Sequence, residues 1–149
     1  MKLTPHFSLE EFVASEVAAR AGIDNTPSVE IVANLQRLAR YLEVLRGALQ
    51  DLPIHVTSGY RCLELNQRIG GARHSAHIQG WAADIVCPEF GTPLEVCWAV
   101  AKSGLPFDQV IHEFGRWCHV AIAPPEGTPR GELLTIRSVA TGYELGLRT

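Results

Sequence analysis

The sequence predicts an α+β fold, a small and mainly antiparallel sheet flanked by about three helices. Three observations predict it. Helical periodicity dominates the first third of the chain, short apolar and alternating segments fill the remainder, and one strongly capped helix interrupts those segments. Helices first, then strands around a further helix, is the order in which an antiparallel sheet is built and covered on one side.

The first helix starts at a capping box, Ser8 with Glu11, with Phe7 and Phe12 at the two staple positions, and is expected to end near Gly22. Asn25-Thr-Pro27 leads into a longer helix with Ser28 as N-cap. Its apolar residues, Ile31, Leu35, Leu38, Leu42, Leu45 and Leu49, alternate between steps of four and three, which marks one continuous core-facing stripe. Pro53 ends the pattern, and Ile54–Thr57 reads as a strand followed by Ser58-Gly-Tyr-Arg61. A short helical stretch over Leu63–Ile69 stops at Gly70-Gly71, and Trp81–Cys87 reads as a strand. Thr92, Pro93 and Glu95 open another helix, which Gly104 closes. Phe107–Glu113 and Trp117–Ile122 form a hairpin around Phe114-Gly-Arg116, and Leu133–Arg137 is expected as the last strand.

Composition narrows the partners. The chain has 149 residues, enough for one domain over residues 1–149, with no repeat or linker to divide it. Net charge is −3, so there is no basic footprint for nucleic acid or for an anionic membrane. No apolar run reaches the roughly 18 residues of a spanning helix. The N-terminus MKLTPHFSLEEF reads as mature sequence without a signal peptide, so the product is expected to be cytoplasmic as synthesised, and monomeric. The four cysteines, at 62, 87, 97 and 118, lack C-x-x-C spacing and are expected to be free, mostly buried thiols.

Chemistry concentrates in Ser75-Ala-His77-Ile-Gln-Gly80-Trp-Ala82-Ala-Asp84. On one helix, His77 and Asp84 would lie two turns apart, about 10 Å by helical rise, too far to share an ion. A turn at Gly80 lets His77 fold back onto Asp84. In the hairpin, strand alternation puts Glu113, Trp117 and His119 on one face with Ile111 and Ala121, and turns Cys118, Val120 and Ile122 to the other. Two imidazoles and one carboxylate make a tetrahedral zinc site with one open position, for one Zn²⁺ per chain. Glu113, free of the metal, suits a general base and acid, and Arg61 suits a developing oxyanion or a substrate carboxylate. Ser75 can hydrogen-bond substrate or orient its loop, and Tyr60 and Trp117 are further candidates for substrate contact. His74 and His112 flank the site and are candidates for supporting the ligands.

Each of these residues alone has an ordinary reading: a satisfied strand histidine, a turn aspartate, a solvated glutamate, a packing tryptophan. The combination does not. By average composition, the five fixed positions of S-x-H-x-x-G-x-A-x-D should arise by chance on the order of once in ten thousand chains of this length.

At these residues the sequence resembles the zinc D-alanyl-D-alanine carboxypeptidases and L-alanyl-D-glutamate endopeptidases, which share a metallopeptidase superfamily with the hedgehog signalling domain. Ser75, His77, Gly80, Ala82 and Asp84 meet the first family motif, and Glu113, Trp117 and His119 meet its later glutamate and W-x-H element. Ser58-Gly-Tyr-Arg61, Asn66, Gly70-Gly71 and the Phe7–Phe12 segment look like one branch of the family, so the resemblance covers about residues 7 to 122. It implies zinc on His77, Asp84 and His119, Glu113 as base and acid, and Arg61 as the oxyanion or carboxylate partner. It also implies peptidoglycan peptides or D-Ala-D-Ala-containing fragments as substrate. A carboxypeptidase of D-Ala-D-Ala type leads. An L-Ala-D-Glu endopeptidase of bacteriophage endolysin type, reaching the cell wall after release, and a non-catalytic zinc module are the alternatives.

Overall fold

The computed structural model describes residues 1–149. The chain opens with a ribbon of two short antiparallel strands, β1 (Lys2–Thr4) and β2 (Phe7–Ser8), which the sequence did not announce. The expected first helix is two helices. The first, α1, covers Leu9–Val13 and uses the capping box, with Glu11 accepting the Ser8 N–H at 3.0 Å. Ser15 then accepts the Ala18 N–H at 3.1 Å and starts α2 (Glu16–Ala21), which Gly22 ends at φ +67°. A serine that can cap captures the backbone here and divides what reads as one segment. The long helix α3 (Val29–Ala48) forms as expected, and Leu35, Leu38, Leu42 and Leu45 are fully buried.

After α3 come β3 (His55–Ser58), α4 (Leu63–Arg68), a short 3₁₀ turn (Ala76–Gln79) and β4 (Ala82–Val86). Then α5 (Pro93–Lys102) forms on the Thr92–Glu95 box, followed by β5 (Gln109–Glu113), β6 (Trp117–Ala121) and β7 (Glu132–Ile136). The segment expected as the last strand is β7, and it is not the last: β8 (Tyr143–Leu145) follows it. Five α-helices therefore flank the sheet where about three were expected, because α1 and α2 separate and α4 is a full element.

The main sheet has six strands in the order β3-β4-β6-β5-β7-β8. Every neighbouring pair is antiparallel except β5–β7. One face carries the core. Ala83, Ile85, Val110, Cys118 and Val120 pack there with the α3 leucines and with Val96, Cys97 and Val100 of α5. Cys118 thus points away from the face on which His119 lies. All four cysteines are free thiols, and three of them are buried. The opposite face carries the polar constellation.

Candidate metal centre

Local turns bring the expected residues together. Ser75 accepts the His77 N–H at 3.2 Å, and Gly80 closes the 3₁₀ turn at φ +76°. This reverses the chain so that His77 Nε2 lies 3.3 Å from Asp84 Oδ1 on β4. A side chain at Gly80 would also crowd Ile31 and Leu35 of α3, so the turn is fixed by both its backbone and its packing. Register does the rest: β4 and β6 align Asp84 with His119, whose Nδ1 lies 3.0 Å from Asp84 Oδ1. The two imidazole centroids are 5.0 Å apart. One ligand atom from each of His77, Asp84 and His119 falls within 4.8 Å of the other two, and all three residues are buried.

The donor set suits a cation. His77 Nδ1 lies 2.7 Å from the Gly59 carbonyl, which fixes the proton on that nitrogen and leaves the Nε2 lone pair bare. That Nε2 is buried and has no hydrogen-bond partner. An orphaned buried acceptor is costly unless something binds it. Burial pushes the His77 imidazole below its ordinary pKa. Burial acts the same way on His119, but its hydrogen bond to Asp84 and the charges of Asp84 and Glu113 outweigh it and raise the imidazole's pKa. Burial alone would raise Asp84, yet the attraction of the two histidines and the hydrogen bond from His119 hold it well below the ordinary carboxylate range. The cluster therefore presents an ionised carboxylate between two nitrogen donors.

Arg61 approaches Asp84 from its other oxygen, with Nη2 3.5 Å from Oδ2. Its Nη1 donates to Asn66 Oδ1 at 3.2 Å, its Nε points at Ser58 Oγ at 3.4 Å, and its backbone N–H donates to the His77 carbonyl at 3.1 Å. Asn66 is buried and donates in turn to the Ala72 carbonyl at 2.9 Å. A side chain on Gly71 would collide with both Asn66 and Arg61, which accounts for the small residue there.

Glu113 pairs with Trp117 across the hairpin, and Oε1 accepts the indole N–H at 2.6 Å. Burial raises the Glu113 pKa above the usual glutamate value. The Trp117 ring meets Phe114 edge-on at 5.6 Å, and Phe114 holds a left-handed backbone, φ +57°, in the turn. Tyr60 lies elsewhere: its ring packs against the main core, and the charged neighbours it feels are Cys62 and Asp24. His112 faces away from the cluster, its Nδ1 2.8 Å from the Arg148 carbonyl, because alternation sends residue 112 opposite to Glu113. His74 is exposed.

Three features of this face escape a sequence reading. The Gly59 carbonyl is backbone, so no residue type signals it. Asn66 is visible only as a motif position, and its bond to Arg61 depends on the α4 geometry. Tyr143, which the pairing of β5, β7 and β8 puts on the same sheet face as Glu113, stands on a strand too short to show a period.

A family model described as Peptidase M15 matches residues 5–121. The zinc D-Ala-D-Ala carboxypeptidase of Streptomyces albus G is 43% identical over 44 residues, which are 30% of this chain and 17% of that protein. The likeness thus spans less than a fifth of the relative's length. The family match runs through the 3₁₀ turn, β4 and β6, the elements that supply the buried cluster. The chain belongs to the peptidase M15 family.

Proposed function

We propose that the chain is a zinc-dependent peptidase that hydrolyses a peptide bond in peptidoglycan stem peptides, of the D-Ala-D-Ala carboxypeptidase type. The observation that carries this reading is the buried His77–Asp84–His119 cluster, with its unpartnered Nε2, on the same sheet face as the half-buried Glu113. His77, Asp84 and His119 would hold one zinc ion, which when bound supplies Lewis-acid chemistry for a carbonyl and acidifies water. Glu113 takes the proton of the attacking water and returns it to the leaving amine. Its raised pKa brings it closer to the value such a shuttle needs. Trp117 keeps one Glu113 oxygen fixed and leaves the other free for the proton. Arg61 faces the negative charge that develops on the substrate carbonyl or a substrate carboxylate. Ser75 holds the His77 turn and borders the substrate, and Trp117 adds an apolar wall, whereas the Tyr60 ring belongs to the core and takes no part.

One observation favours the endopeptidase alternative. Each nitrogen of the Arg61 guanidinium already faces a partner, Ser58, Asn66 or Asp84, so it is a shared cation and not a dedicated clamp for a free C-terminus. Defined muropeptides separate the two. Incubation with the zinc-loaded chain and mass analysis should show loss of a single terminal alanine. Release of L-alanine from the other end of the stem peptide would replace the carboxypeptidase reading with the endopeptidase one, and no cleavage of either kind would refute both.

A further inference from the structure

The last strand carries a side chain that none of these roles uses. Glu113 on β5 faces Ile136 on β7, and Ile136 faces Tyr143 on β8. Glu113 also faces Trp117 on β6. Residues directly opposed in a sheet project to the same side. Trp117, Glu113, Ile136 and Tyr143 therefore form one row across the site face. The adjacent row on that face runs Ser58, Asp84, His119, Ile111, Leu134 and Leu145. The opposite parity is independently fixed. His112, Thr135 and Glu144 share a row on the other face, where Arg148 ties to the first two: its carbonyl meets His112 and its N–H donates to Thr135 Oγ1.

Ile136 is 6% exposed while Tyr143 is 55% exposed, so the ring stands at the sheet edge over a buried isoleucine. Two strand spacings, about 10 Å, separate its backbone from that of Glu113, and both side chains rise from the same face of the sheet. The phenol's ionisation is pushed up by burial and by the Glu113 and Asp84 carboxylates, with Arg61 opposing them. The hydroxyl thus lies in the field of all three site residues and remains a donor at neutral pH. Arg61 approaches from the β3 side of the cluster and Tyr143 from the β8 side.

We infer that Tyr143 is a substrate-contacting residue: its ring walls the cleft on the β8 side, and its hydroxyl donates a hydrogen bond to a carbonyl or carboxylate oxygen of the bound peptide. This assignment rests on the peptidase reading above. A peptide laid across the strands then meets one donor on each side of Glu113, Arg61 on one and Tyr143 on the other. The ligand so recognised is a peptide with acceptor oxygens on both sides of the bond that is cut.

The test uses the zinc-loaded full chain, its Tyr143→Phe and Tyr143→Ala variants, and the muropeptide that the wild type cleaves. One lost hydrogen bond to substrate corresponds to roughly a tenfold change in affinity. Tyr143→Phe is expected to raise KM about tenfold while kcat stays within about twofold, and Tyr143→Ala is expected to raise KM further. In a Glu113→Gln background, which holds the peptide without cutting it, Tyr143→Phe is expected to weaken calorimetric binding by the same factor. An unchanged melting temperature for Tyr143→Phe ties the effect to substrate and not to folding. If the wild type cleaves and Tyr143→Phe matches it in KM and in binding, the Tyr143 assignment is overturned and the peptidase reading stands. If the wild type takes up zinc but cleaves no muropeptide, both fall together.

Discussion

Glu113 stands at the edge of the metal cluster with one oxygen held by an indole and its charge set against a buried face. Replacing it with Gln keeps the Trp117 contact and removes only the proton acceptor. Glu113→Gln is expected to lower kcat about a hundred- to ten-thousandfold with zinc content unchanged; full turnover in a zinc-loaded variant would remove Glu113 from the mechanism. The same substitution has a signature in stability. Burial raises the Glu113 pKa in the folded chain, so the neutral carboxyl is the form the fold favours. Its contribution is complete below the unfolded pKa and is lost as pH rises through the higher folded value. Glu113→Gln is neutral throughout. In chelator, its melting temperature should exceed the wild type's near neutral pH, and the two should converge in acid. The roles proposed for the cluster and for Glu113 were readable at this scale because motif spacing and strand parity are local properties. His112 was left open as a candidate for supporting the ligands, and strand parity decides its place: next to Glu113 in sequence, it is on the opposite face. Tyr143 was not readable, because three residues of strand carry no period.

At the level of elements, the end of β3 does more than its residue types suggest. Gly59 lies against α1, where an added side chain would meet the Phe12 backbone oxygen at 2.6 Å and Cα at 2.8 Å. Its carbonyl receives His77 Nδ1, and the next residue, Tyr60, donates its N–H to the Phe12 carbonyl at 2.7 Å. The first helix, the strand end and the first histidine are thus one unit. Gly59→Ala should force α1 away from β3 and shift the carbonyl that orients His77. Loss of such a supporting contact typically costs about ten- to a hundredfold in metal affinity. A competitive chelator titration measures it, and wild-type affinity in a folded Gly59→Ala chain would refute the coupling. Long and well-capped elements were legible: α3 by its leucine stripe, α5 by its box. The break between α1 and α2 was not, because Ser15 reads equally well as a mid-helix serine until its cap bond is seen. The parallel β5–β7 pairing was also hidden, since alternation shows that strands exist and not which neighbour each takes.

On the scale of the whole molecule, the sheet divides two tasks between its faces. The apolar face carries the core with α3 and α5, and the other carries His77's partners, Glu113 and Tyr143. The division follows from one-residue alternation, so a single slip of register in β6 would turn His119 into the apolar core and Cys118 onto the site face. No helix of the chain is long and apolar enough to cross a membrane. A concavity of about 410 Å³ between α1, α2 and the Asn25–Pro27 segment is lined by none of the cluster residues. The α+β class was legible because its elements follow one another in the sequence in the required order. The face that carries chemistry became certain only with the pairing of β4 and β6.

The central claim is that His77, Asp84 and His119 bind zinc, and elemental analysis tests it most directly. The purified chain, loaded with zinc and exhaustively dialysed, should retain about one zinc per chain, and His77→Ala should retain almost none. A wild-type chain without bound zinc, or a folded His77→Ala chain that keeps its zinc, would contradict the account.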